Sequence, residues 1–240
     1  MWIFISCTGQ CKCHSTSECP VSAANIASSA FAAGDKFFPL DSDGVFRLED
    51  TDSAVTYKAM EKLLSTGKVK AIGVSNFNIR KLEDLLSKTD IVPAVNQIEA
   101  HPYLQQPDLL KFCTDKNILV EAYSPLGNNQ TGEPRTVDDA VVHEVAKSLD
   151  MDPGVVLGSW GVQRGTVVLP KSVTPSRIAS NLRVKELPAE QLKRLNDLER
   201  HKRFNFPARW GNDIFDEAGE EKVKAAAKEA GEENKTKFTV

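Results

Sequence analysis

Apolar residues fall along the chain in two alternating textures. Short continuous runs read as buried strands, and longer stretches with apolar residues three and four apart read as helices. The run Ala71, Ile72, Gly73, Val74 ends at polar Ser75 and Asn76, and a helix over 79–88 follows with Leu82, Leu85 and Leu86 on one face. The alternation repeats as a strand over 94–98, a helix over 107–116 opened by Pro107, and a strand over 118–123. Helices over 138–149 and 153–163, a strand over 166–169 and helices over 175–182 and 189–200 complete it. Upstream, Thr51 or Asp52 caps a helix with Val55, Ala59, Met60, Leu63 and Leu64 as its apolar face, stopping at Gly67. Strands alternating with helices predict an α/β fold built on a parallel sheet. Residues 1–33 show neither period and read as an irregular Cys-rich leader, and 217–240 as a charged tail.

In parallel β/α folds the chemistry collects at the carboxyl ends of the strands. Those ends carry Ser75 and Asn76, Gln97, Tyr123 and Ser124, and Lys171 and Ser172. After the strand over 166–169, Thr174 reads as an N-cap and Pro175 as the first helical residue. Free N–H groups there, beside Lys171 and Arg177, suit a phosphate. A capped surface helix with solvated charges is the competing reading.

Composition narrows the partners. With 30 Lys plus Arg against 33 Asp plus Glu, a net charge of -3 gives no reason to expect nucleic acid. No apolar stretch approaches the roughly 18 residues of a membrane span, and the opening residues lack the basic flank of a secretory signal. The expected location is the cytoplasm. Of the 5 cysteines only Cys113 lies outside the first twenty residues. Cys7, Cys11, Cys13 and Cys19, with His14, match no common structural zinc spacing, so they read as reduced thiols and no metal site is assigned. A small metal-binding interaction module is the alternative for this leader.

Several motifs together resemble the aldo-keto reductases, with a flavour of the glycerol dehydrogenase and aldose reductase group. They are the runs from Gly67 to Phe77, Asn96 to Glu99 with His101, Pro102 and Tyr103, Ala122 to Gly127, Gln163 to Gly165, and Leu169 to Asn181. The resemblance implies a (β/α)8 TIM barrel, of which 34–216 would be the C-terminal half. It also implies an NADP cofactor and a small carbonyl or polyol substrate. Carried over by residue, Ser75, Asn76 and Gln97 would hold the nicotinamide carboxamide, and Tyr123 would stack on its ring. Ser124 and Leu126 would line the pyrophosphate path. Lys171, Ser172, Thr174 and Arg177 would surround the adenosine 2′-phosphate, and Asn181 would meet the adenine. Ser180 stands where the family usually has Glu. The 204–215 segment resembles the loop that shapes the substrate pocket, with Trp210 and Phe215 facing substrate.

The family's catalytic Asp, Tyr, Lys and His set finds no match. The 3 tyrosines are Tyr57, Tyr103 and Tyr123, and the 4 histidines are His14, His101, His143 and His201, none in the family's His-Trp-Pro context. A TIM barrel takes about 250 residues and each βαβ unit about 30, so four further strands do not fit before Lys70. The expectation is a chain truncated at its N-terminal side behind an unrelated leader, with no catalytic residues of its own. It would be inactive alone, a remnant with residual nucleotide binding, and its open sheet edges would invite self-association.

Overall fold

The computed structural model describes residues 5–7, 29–31, 38–128, 132–206 and 208–238. It divides into two units, Met1–Pro93 with Phe206–Val240, and Ala94–Asn205.

In the first unit, β1 (Ile5–Cys7) and β2 (Ser29–Phe31) come from the segment expected to be irregular. β2 pairs antiparallel with β3 (Leu48–Asp50). The helix α1 (Ser53–Leu64) is capped by Asp52, whose carboxylate accepts from the Ala54 N–H at 3.0 Å. Its inward residues are Ala54, Tyr57 and Met60, while Val55 is 65% exposed. The expected aliphatic face is therefore rotated: burying the Tyr57 ring removes more area from water than burying Val55, so the aromatic sets the facing.

The strands β4 (Val69–Ile72) and β5 (Val74–Ser75) lead to α2 (Ile79–Lys88), capped by Asn78, whose side chain accepts from Lys81 N–H at 3.0 Å. The edge of β4 expected to be open is covered, because β1 pairs antiparallel along it with Ile5 opposite Ile72. The segment read as a charged tail forms two helices, labelled α8 (Glu220–Glu229) and α9 (Gly231–Phe238) below. Val223, Ala227 and Asn234 are buried there, and the Asn234 side chain donates to the Gly44 carbonyl at 3.1 Å.

The second unit carries the parallel strands. β6 (Val95–Glu99) lies beside β7 (Leu119–Tyr123), with Val95 opposite Leu119 and Glu99 opposite Tyr123, and α3 (Pro107–Asp115) crosses between them. Beyond α4 (Ala140–Ser148) and α5 (Pro153–Gln163), β8 (Val167–Val168) pairs parallel to β7 with Val167 opposite Glu121. α6 (Pro175–Ser180) and α7 (Ala189–Asn196) follow. The core gathers Val142, Val145, Val156, Leu157, Trp160 and Leu195. α5 is buried almost all round, and a Cβ on its Gly161 would sit 2.6 Å from the Val168 side chain, so the absence of a side chain lets helix and strand approach. The parallel sheet alternating with helices is the α/β architecture expected. Among the described residues no helix is long and apolar enough to cross a membrane.

Candidate functional site

The carboxyl end of β7 runs into a tight turn. Tyr123 is half-buried, and Ser124 follows with φ of 47°, a left-handed backbone that costs a non-glycine residue roughly 1 to 2 kcal/mol. Such a conformation persists only where its surroundings fix it. The Gly127 N–H closes the turn on the Ser124 carbonyl at 2.8 Å, and the Leu126 carbonyl accepts from Val137 N–H at 3.1 Å. Gly127 has φ of 71°, and a Cβ there would meet Thr136 Oγ1 at 2.3 Å, so the position admits no side chain on two counts. The Asn205 side chain donates to Ser124 Oγ at 3.3 Å and to the Asn128 carbonyl at 3.2 Å. On β6, Gln97 is buried, and its amide donates to Glu121 on the neighbouring strand at 2.7 Å.

Beneath the turn lies a charged group that sequence reasoning passed over. Glu99 and His101 are both fully buried, with His101 Nε2 2.9 Å from a Glu99 oxygen, where the ring donates and the carboxylate accepts. The same carboxylate accepts the backbone N–H of Phe204 at 2.9 Å and of Asn205 at 3.0 Å. Burial alone would raise the Glu99 carboxyl; the His101 ring and the two N–H groups outweigh it and hold the group below its ordinary value. His101 Nδ1 lies 3.5 Å from Thr136 Oγ1. Glu99 and His101 stand inside a recognised motif, but the groups they hold are far away in sequence.

After β8, the Leu169 N–H still donates to Ala122 at 3.1 Å, and the chain then leaves the sheet. Lys171, Thr174 and Arg177 are exposed, Ser172 is half-buried, and its Oγ accepts from Thr174 N–H at 3.1 Å. Among the described residues neither Lys171 nor Arg177 is paired with a carboxylate. Thr174 is the cap residue expected, with Pro175 in the first turn, but its side chain makes no capping bond. α6 ends at Ser180, and Asn181 is its C-cap instead of lying within a helix to 182.

In the first unit Ser75 is fully buried and Asn76 has φ of 62°. Among the described residues Asn76 Oδ1, a buried acceptor, has no hydrogen-bond partner. A primary carboxamide supplies the N–H donors such an atom lacks, so this acceptor fits the amide end of a nicotinamide. Of the residues expected to face substrate, Phe215 is buried with its ring 5.7 Å from Phe206. Trp210 is half-buried, edge-on to Phe46 at 6.3 Å. The segment bearing them is fastened to α2: Arg80 Nη2 and Asn78 Nδ2 reach Asp216 at 2.8 and 2.6 Å, and buried Lys81 donates to the Ile214 carbonyl.

Three further groups with acid or nucleophile chemistry, Tyr57, Tyr103 and Cys113, are buried. Tyr57 is fully buried, its hydroxyl unpartnered and pushed well up by burial. Tyr103 donates to Asp139, and burial followed by that carboxylate pushes it up to about 12. The Cys113 thiol is buried and pushed up to about 11. Among the described residues no three His, Cys, Asp or Glu side chains gather as metal ligands. The leader residues Cys11, Cys13, His14 and Cys19 lie outside those described.

The model of the aldo/keto reductase family matches residues 46–200. Aldo-keto reductase family 1 member A1-A of Danio rerio is 43% identical over 185 residues, covering 74% of this chain and 57% of its own length. The member A1 proteins of Cricetulus griseus and Homo sapiens are 41% and 40% identical over the same span. The chain thus spans 57% of the length of these relatives. It belongs to the aldo/keto reductase family.

Proposed function

We propose that this chain is an NADP-binding oxidoreductase of the carbonyl- and polyol-converting kind whose 240 residues, taken alone, bind the nucleotide without turning over a substrate. The observation that carries the nucleotide reading is the buried, unpartnered Oδ1 of Asn76. An unmet buried acceptor costs about 1 to 3 kcal/mol, which an amide N–H recovers on binding. In this reading Ser75, Asn76 and Gln97 hold the carboxamide, and Tyr123 lies against the ring. Ser124 and Leu126 line the pyrophosphate, Lys171, Ser172, Thr174 and Arg177 receive the 2′-phosphate, and Asn181 meets the adenine. Trp210 and Phe215 contribute to a substrate wall. The bound nicotinamide supplies the hydride, while the chain binds, orients and excludes water.

The proton half of the reaction has no assigned donor. Tyr57 and Tyr103 are raised phenols in buried settings, and His101 is committed to Glu99. A cytoplasmic location belongs to the same reading, since the free Cys113 thiol suits a reducing compartment. Self-association draws support from the apolar side chains of Val173 and Leu182, which are 79% and 84% exposed.

The nucleotide reading is tested by titrating the purified chain with NADPH and with NADH, following nucleotide fluorescence. NADPH should bind at least about tenfold tighter, in line with charge-assisted bonds to a phosphate, and Lys171→Ala with Arg177→Ala should erase the difference. Equal affinities in the unmutated chain would overturn the assignment.

A further inference from the structure

The Ser124–Gly127 turn is gripped from both ends, and both grips lead back to one buried carboxylate. One arm runs from Glu99 through the His101 ring to Thr136, whose side chain fills the space a Cβ on Gly127 would need. The other runs from Glu99 to the backbone N–H groups of Phe204 and Asn205, which aims the Asn205 amide at Ser124 Oγ and the Asn128 carbonyl. A buried hydrogen-bonded pair that only filled space would not converge on a single turn at the carboxyl end of a strand. Nor would such a turn, with Ser124 in the left-handed region, keep its shape without outside support.

We propose that Glu99 is a positioning residue for this turn, acting through Asn205 and His101 to hold it in the shape that receives the pyrophosphate of an NADP-type nucleotide. The inference rests on the nucleotide reading above and extends it to residues that touch no cofactor atom. Glu99 sets where the N–H groups of Phe204 and Asn205 lie, Asn205 sets the Ser124 hydroxyl, and Thr136 sets Gly127. Loss of any link loosens the pyrophosphate end while the 2′-phosphate residues, from Lys171 before α6 to Arg177 on it, keep their place.

The test compares two ligands on the full chain by calorimetry: NADP+, which carries a pyrophosphate, and adenosine 2′-monophosphate, which does not. Asn205→Ala leaves the Glu99 bonds to the backbone intact and removes only the link to Ser124. It should weaken NADP+ binding by about tenfold, the upper range for one hydrogen bond, with adenosine 2′-monophosphate unchanged. Glu99→Gln should do the same or more, and amide hydrogen exchange of the 124–128 segment should quicken in both variants. Lys171→Ala serves as the opposite control and should weaken both ligands. If the unmutated chain binds NADP+ and Asn205→Ala binds it equally well, the positioning role is overturned while the nucleotide reading stands. If both ligands weaken together in Asn205→Ala, the residue supports the fold and not the turn, and the proposal is equally lost. Failure of the unmutated chain to bind NADP+ overturns the nucleotide reading, and this inference with it.

Discussion

A carboxylate taken wholly out of water loses several kcal/mol of solvation, and Glu99 has no exposed surface. Three N–H donors replace that water: the His101 ring and the backbone of Phe204 and Asn205. Because the folded-state carboxyl titrates below its ordinary value, it contributes stability that is fully present above about pH 4.5. That contribution is lost as pH falls through the lowered folded-state value. Glu99→Gln should therefore cost about 3 kcal/mol at pH 7 and flatten the acid limb of a stability-against-pH curve from urea melts. An acid limb equally steep in the variant would show that other carboxylates control it. The residue scale is also where the sequence was hardest to read. Asn76, Gln97 and Tyr123 announce themselves at strand ends. Glu99 does not, because its backbone partners are 105 and 106 residues away.

At the scale of elements, local chemistry predicts what the caps do and where they fail. Asp52 bonds the Ala54 N–H, whereas the Thr174 side chain makes no capping bond. Asp52→Ala should then cost about 1 kcal/mol, and Thr174→Ala less than about 0.5 kcal/mol, by thermal melting. A larger loss at Thr174 than at Asp52 would contradict this account of the helix starts. The strands and helices over 71–200 were legible because each carries its own period. The facing of α1 was not, since the aliphatic residues Val55 and Ala59 outnumber the one aromatic that decides it. The 217–240 helices were masked by charge, although the ion pairs Lys224 with Glu220 and Lys237 with Glu233, four residues apart, are a helical signature. What fixes α8 and α9 in place is tertiary: Val223 and Ala227 are buried, and Gly231 packs against Asp43.

On the scale of the whole molecule, the parallel strands β6, β7 and β8 with their helices followed from the alternation of textures. The antiparallel strand β1 along β4 did not, because a three-residue pairing with a partner more than sixty residues away leaves no local pattern. The residues proposed to meet the cofactor stand in motifs legible in the sequence, and the hydrogen bonds from Glu99 to Phe204 and Asn205 were legible only in three dimensions. The central proposal is that this chain binds an NADP-type nucleotide but does not by itself supply the acid that completes carbonyl reduction. Loss of a general acid commonly costs about 10² to 10⁴ in rate. The direct measurement follows one purified sample of the chain with NADPH and glyceraldehyde, reading nucleotide binding by fluorescence and oxidation by absorbance at 340 nm. The account predicts saturable binding, with turnover below about 10⁻² s⁻¹. Turnover within the usual range of about 1 to 10³ s⁻¹ would contradict it and require a proton donor among residues given no catalytic role here.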